Sequence, residues 1–213
     1  MSVLDVVYAS MHDECYRMAI HYRDRIAKAG VMVARSRQWL RGASLALIVC
    51  FSHQASASEA IREFVDPPRA PGLVLPTITG GEFDIAHSIE NGQASLVVFW
   101  ASWCAPCRRE LPALKRISGF EELSGVDVVL VNFGESDARI QAFLETVDTG
   151  QLPVAVDAEK STGFDWRVGA LPLAYLVSPS GHVLAGFMGE IDWMNQDVIE
   201  RLRVLSGEVP VVQ

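Results

Sequence analysis

The chain has 213 residues, half of them apolar and 21% charged, and a formal net charge of −8. That balance fits a folded domain with an added segment and argues against a disordered chain. The acidic excess argues against nucleic acid as a partner. The charge is also unevenly spread: residues 1–57 hold 7 basic and 4 acidic residues, whereas 58–213 hold 11 basic and 22 acidic.

The basic front reads as a leader. Arg35, Arg37 and Arg41 precede the uncharged apolar run Gly42 to Phe51, and Ala55-Ser56-Ala57 follows. Basic, apolar, then small is the order of a secretory signal peptide, with cleavage before Ser58. The run is far shorter than the ~20 residues of a spanning helix. An uncleaved membrane anchor is the alternative. Met32 opens a leader of ordinary proportions, so 32–57 read as the signal peptide. Residues 1–31 then read as an extension that is not translated, or as an amphipathic N-terminal addition. Residues 58–71 read as a linker, with three prolines between Asp66 and Pro71, and 72–213 as the folded domain.

Within that domain, Leu73 to Ile78 and Glu82 to Ile85 flank Thr79-Gly80-Gly81 and predict a hairpin, with Pro76 confined to an edge. Ser95 to Trp100 predicts a strand buried on both faces. A helix is predicted from Cys104 to about Ser118, with Pro112 inside it. Val126 to Phe133 predicts a second buried strand. Ser136 can cap a helix carrying Ile140, Phe143, Leu144 and Val147 at helical spacing. Pro153 to Val156 predicts a third strand, and Glu159 to Arg167 a short helix or helical turn. Leu173 to Ser178 and His182 to Met188, joined by Pro179-Ser180-Gly181, predict an antiparallel hairpin. Asp192 can cap a last helix with Val198, Ile199, Leu202 and Leu205 inward. Strand–helix alternation followed by an antiparallel pair implies a mixed sheet covered by helices.

Four cysteines are present, Cys15, Cys50, Cys104 and Cys107, and removal of the leader keeps only the close pair. A single pair is no stapled scaffold, so it is free for chemistry. Cys104 stands where a buried strand meets a helix. There, unpaired N–H groups and the helix dipole favour a thiolate, the attacking species in disulfide exchange. Cys107 lies one turn inward on the same side, and Pro106 suits the first turn. A structural zinc needs about four ligands and finds no second pair. Capture of Cu(I) by the reduced pair stays open, because soft thiolates select it.

The stretch Trp100 to Pro112 resembles the active-site segment of thioredoxin-like proteins. The chain from about Ala70 to Leu205 is similar to the exported TlpA/ResA group. The shared features are the N-terminal hairpin, the run Trp103-Cys104-Ala105-Pro106-Cys107-Arg108-Arg109-Glu110-Leu111-Pro112, an inserted strand-and-helix unit, and the closing Gly189 to Trp193. The resemblance implies an α/β thioredoxin fold, a mixed central sheet flanked by helices. It implies protein-disulfide reduction in the periplasm, without cofactor or metal. By the same resemblance Cys104 is the nucleophile, Cys107 the resolving thiol and Pro172 a cis-proline. The backbone before Pro172, at Leu171, would hold the partner chain with Trp103 beside it. Glu110 matches an acidic residue placed near the pair. The implied partners are apocytochromes or copper-site proteins of respiratory oxidases, with a membrane thiol as electron donor. A copper-holding chaperone without turnover and a DsbA-like oxidase are the alternatives. A peroxiredoxin is set aside because Ala101 stands where its motif needs Thr.

Overall fold

A computed structural model describes residues 60–207. The extension, the leader and its cleavage position lie outside the described residues. The elements in chain order are β1 (Ile61–Glu63), β2 (Val74–Pro76), β3 (Glu82–Asp84), α1 (Ile85–Glu90), β4 (Ala94–Trp100) and α2 (Ala105–Ile117). After a 3-10 turn at Glu121–Leu123 come β5 (Val126–Phe133), α3 (Asp137–Leu144), β6 (Val154–Asp157), β7 (Leu173–Val177), β8 (Val183–Met188) and α4 (Gln196–Leu205).

Six strands form one sheet in the order β1-β8-β7-β4-β5-β6, and β2 pairs with β3 separately. The β4, β5 and β6 strands run parallel, while β7, β8 and β1 add antiparallel neighbours. This is the mixed α/β architecture expected. Every residue of β4 is buried, because successive side chains enter two different cores. Leu96, Val98 and Trp100 pack with Leu111, Leu114, Ile199 and Leu202. Val97 and Phe99 pack on the other face with Leu73, Leu75, Val129, Val131 and Trp166. The period of two along a strand therefore produces a continuous apolar run rather than an alternating one.

Three local expectations are corrected. The segment read as a linker is no free tether over its described part. Ile61–Glu63 pairs antiparallel with β8, and Arg69 bridges to His182. Three residues are too few for periodicity to reveal, and the pairing partner lies at the far end of the chain. Glu159 to Arg167 takes the helical-turn form of its expectation, with Trp166 N donating to the Thr162 carbonyl at 2.9 Å, and goes no further. The Asp157 carboxylate captures the Ser161 and Thr162 N–H and hydroxyl groups at 2.6–3.0 Å, and Lys160 and Arg167 take positive φ. Local side-chain bonds of this kind compete with a helix. The N-cap of α4 is Asn195, whose side chain accepts from Asp197 N, while Asp192 only turns the loop before it. Ser136 stands at the N-cap of α3, but its side chain makes no capping bond. The sequence reading also missed α1, capped by Asp84 accepting from Ala86 N.

Candidate active site

The carboxyl end of β4 delivers the site. Trp100 is fully buried and packs on Phe143 at 5.3 Å, whereas Trp103 is 60% exposed. Between them the chain leaves the sheet and enters α2. Cys104 is the N-cap, Ala105 and Pro106 open the first turn, and the Cys107 N–H donates to Cys104 Sγ at 3.3 Å. Cys104 and Cys107 form a disulfide with their Cα atoms 5.3 Å apart. The two cysteine residues are almost equally covered in this oxidised state, at 4% and 1% exposure. Their asymmetry is therefore one of position: Cys104 adjoins exposed Trp103, and Cys107 faces the core one turn in.

The opposite wall comes from β7. Phe99 pairs with Leu173, so the register carries Pro172 to the end of β4 from which the cysteine segment departs. The Leu171–Pro172 peptide is cis, Pro172 is buried, Leu171 is half-buried, and Gly189 N donates to the Pro172 carbonyl at 3.0 Å.

Glu110 is buried near the pair. It lies in the second turn of α2, 3% exposed, on the inner face with Cys107, Leu111 and Leu114. It stands three positions after Cys107, which puts the two on neighbouring turns of one face. Its Oε1 accepts from the Ile191 N–H. Burial pushes the carboxyl up to about 7. The Ile191 N–H opposes this, the Glu190 charge adds to it, and Trp193 and Arg109 oppose it again. The buried Trp193 indole lies near enough to favour the charged form without closing a well-formed hydrogen bond. Glu110 and Trp193 line an open cleft of about 420 Å³, rimmed by Arg109 and Glu190. Those two rim residues pair through Arg109 Nε and Nη2 at 2.7 and 2.5 Å.

A second carboxylate was not foreseen. Glu135 follows β5 at the same end of the sheet and is 5% exposed. It accepts from Ser102 N and Ser102 Oγ, both at 2.6 Å, from Asn132 Nδ2 at 2.9 Å, and from Arg139 Nε at 2.6 Å. Burial pushes this carboxyl up, but the bonds from Asn132, Ser102 and Arg139 outweigh it and hold it below its ordinary value. The available signal was Gly134-Glu135 at the carboxyl end of a buried parallel strand, where sites in such sheets gather. Among the described residues no group of three or more His, Cys, Asp or Glu could hold a metal ion.

A redox-active cysteine pair capping a helix at the end of a mixed sheet defines a thioredoxin-fold thiol–disulfide oxidoreductase. The AhpC/TSA family model matches residues 68–185. Thiol-disulfide oxidoreductase ResA of Bacillus subtilis is 26% identical over 176 residues, 77% of this chain and 95% of that protein. Thiol:disulfide interchange protein HelX of Rhodobacter capsulatus is 32% identical over 152 residues, 71% of this chain and 82% of HelX. A crystal structure of a thiol:disulfide interchange protein DsbE from Chlorobium tepidum superposes with a TM-score of 0.60 at 26% identity, covering 66% of this chain and 97% of that one. The chain belongs to the AhpC/TSA family and, within it, to the ResA-like thiol–disulfide oxidoreductases.

Proposed function

We propose that the chain is an exported reductase of disulfides in partner proteins, with Cys104 as nucleophile and Cys107 as resolving thiol. The observation that carries this reading is the placement of the pair. Cys104 caps the helix beside exposed Trp103, and Cys107 lies one turn further in, facing the core. In the reduced protein the Cys104 thiolate attacks one sulfur of a partner disulfide, and the partner's other sulfur leaves as a thiolate and takes a proton. The Cys107 thiolate then attacks Cys104 Sγ and expels the partner's second thiolate. Two electrons have moved, and the enzyme carries the disulfide seen in the structure. Glu110, one turn from Cys107 and titrating near 7, is suited to take the Cys107 proton at neutral pH. The Leu171 backbone and Pro172 form the shelf for the partner chain, with Trp103 at its rim.

The resemblance to the exported TlpA/ResA group implies cytochrome- or copper-site maturation as the setting, with a membrane thiol returning the electrons. The basic, apolar and small-residue order before Ser58 supports export to the periplasm. No helix among the described residues is long and apolar enough to cross a membrane. The test is insulin reduction by the wild-type protein alongside Cys104→Ser and Cys107→Ser. Turnover by the wild type, none by either variant, and a trapped mixed disulfide on Cys107→Ser support the reading. A wild-type protein that binds Cu(I) and reduces nothing replaces it with the chaperone.

A further inference from the structure

We propose that Glu135 is a positioning residue for disulfide exchange, clamping the loop Ala101–Trp103 so that Cys104 stays at the head of α2 when the disulfide opens. The proposal rests on Cys104 being the nucleophile, as argued above.

In the oxidised state the disulfide itself ties Cys104 to the helix. Reduction removes that side-chain tie and leaves Cys104 between one helix bond, from Arg108 N to its carbonyl at 3.2 Å, and the chain that precedes it, to which its own N–H is bonded at the Ala101 carbonyl. Ser102 lies two residues upstream, and it is held twice, through its N–H to Glu135 Oε2 and its hydroxyl to Oε1. The clamp is anchored in turn. Asn132 at the end of β5 donates to Oε2, and Arg139 of α3 donates to Oε1 and, at 3.2 Å, to Ser102 Oγ. Three separate parts of the chain thus meet on one carboxylate directly behind the reactive loop. Charge-assisted hydrogen bonds to a buried carboxylate are the strong kind. A reacting group held this way keeps its attack geometry, and loosening by about 1 Å costs up to ~10²-fold in rate.

Glutamine fits the same frame. Its carbonyl in the place of Oε2 accepts from Ser102 N and Asn132. Its amide in the place of Oε1 donates to Ser102 Oγ, which accepts as well as donates. The Arg139 side chain, 61% exposed, is free to turn towards solvent. Glu135→Gln and Glu135→Ala both remove the charge, and only alanine removes the clamp. The difference between them isolates positioning from electrostatics.

The experiment measures insulin reduction and the Cys104 thiol pKa by alkylation, with wild-type turnover as the control for the oxidoreductase reading itself. Glu135→Ala is expected to react about tenfold more slowly than wild type, and Glu135→Gln to recover most of the rate. The thiol pKa of the alanine variant should lie above that of the glutamine variant by roughly half a unit, the size of a helix-end contribution. Equal pKa values and equal rates in the two variants overturn the proposal while leaving the function intact. Amide exchange at Ser102 in the wild-type protein gives a second reading should the alanine variant not fold. Slow exchange in both redox states is expected, and fast exchange in the reduced state alone overturns the clamp.

Discussion

Near pH 7 the Glu110 carboxyl is poised between its two charge states. A carboxyl whose folded pKa lies above its unfolded value binds more protons in the native state between the two. Stability therefore falls as pH rises from 4.5 towards about 7. The change is on the order of 3 kcal/mol for the oxidised protein. Denaturant melts at pH 5 and pH 8 should show this fall, and Glu110→Gln should flatten it. Parallel curves for wild type and variant would remove the carboxyl from the titrating groups. In the reduced protein the same variant should lower the Cys104 thiol pKa, since it removes a like charge near the pair. Alkylation at mildly acidic pH checks this, and it should label Cys104 before Cys107. Faster labelling of Cys107 contradicts the assigned order of attack. Legibility at this scale followed sequence distance. Cys104, Cys107 and Pro106 explain one another within four positions of the chain. The partners of Glu110 and Ser102 lie 81 and 33 residues away, and no local pattern announces them.

Among the elements, the buried strands and the helices longer than two turns were readable, because each carries an apolar period long enough to repeat. β4, β5 and α2 fall close to their expected limits for that reason. The short pieces were not readable. β1 has three residues and is defined by its hydrogen bonds to β8 rather than by its own composition. It covers an edge that would otherwise offer unpaired N–H and C=O groups to another chain. Deletion through Phe64 should therefore lower the melting temperature and raise self-association at high concentration. Thermal melts and sedimentation of the truncated domain test both, and an unchanged monomer would show that the β8 edge needs no cover. The turn at Asp157 teaches a complementary lesson. After β6 the chain goes no further than a helical turn, because one carboxylate accepts four bonds from the residues that begin it.

For the whole molecule, the balance of oxidised and reduced forms follows from how far the site favours a thiolate. The head of α2 favours it, and a buried acid on the same helix face opposes it. No cation sits within the Ala105-Pro106 dipeptide. The reduction potential is accordingly expected nearer thioredoxin's ~−270 mV than DsbA's ~−120 mV. Equilibration with glutathione or dithiothreitol, followed by tryptophan fluorescence, measures it. A value near the DsbA figure would make the protein an oxidant. The overall architecture was legible because strand order and apolar runs are written locally, whereas the cleft beside Glu110 arises only when α2 meets the loop Glu190–Trp193.

The pairing of β1 with β8 also sets a leash. A fourteen-residue tether from Ser58 to Pro71 would have let the catalytic body range widely from any membrane-held leader. With Ile61 already stitched into the sheet, the ordered body instead begins ten positions before Pro71, and no such free tether lies between them. A chain cut before Ser58 would enter the sheet within three residues of its start, so that β1 would fasten its new N-terminus almost at once.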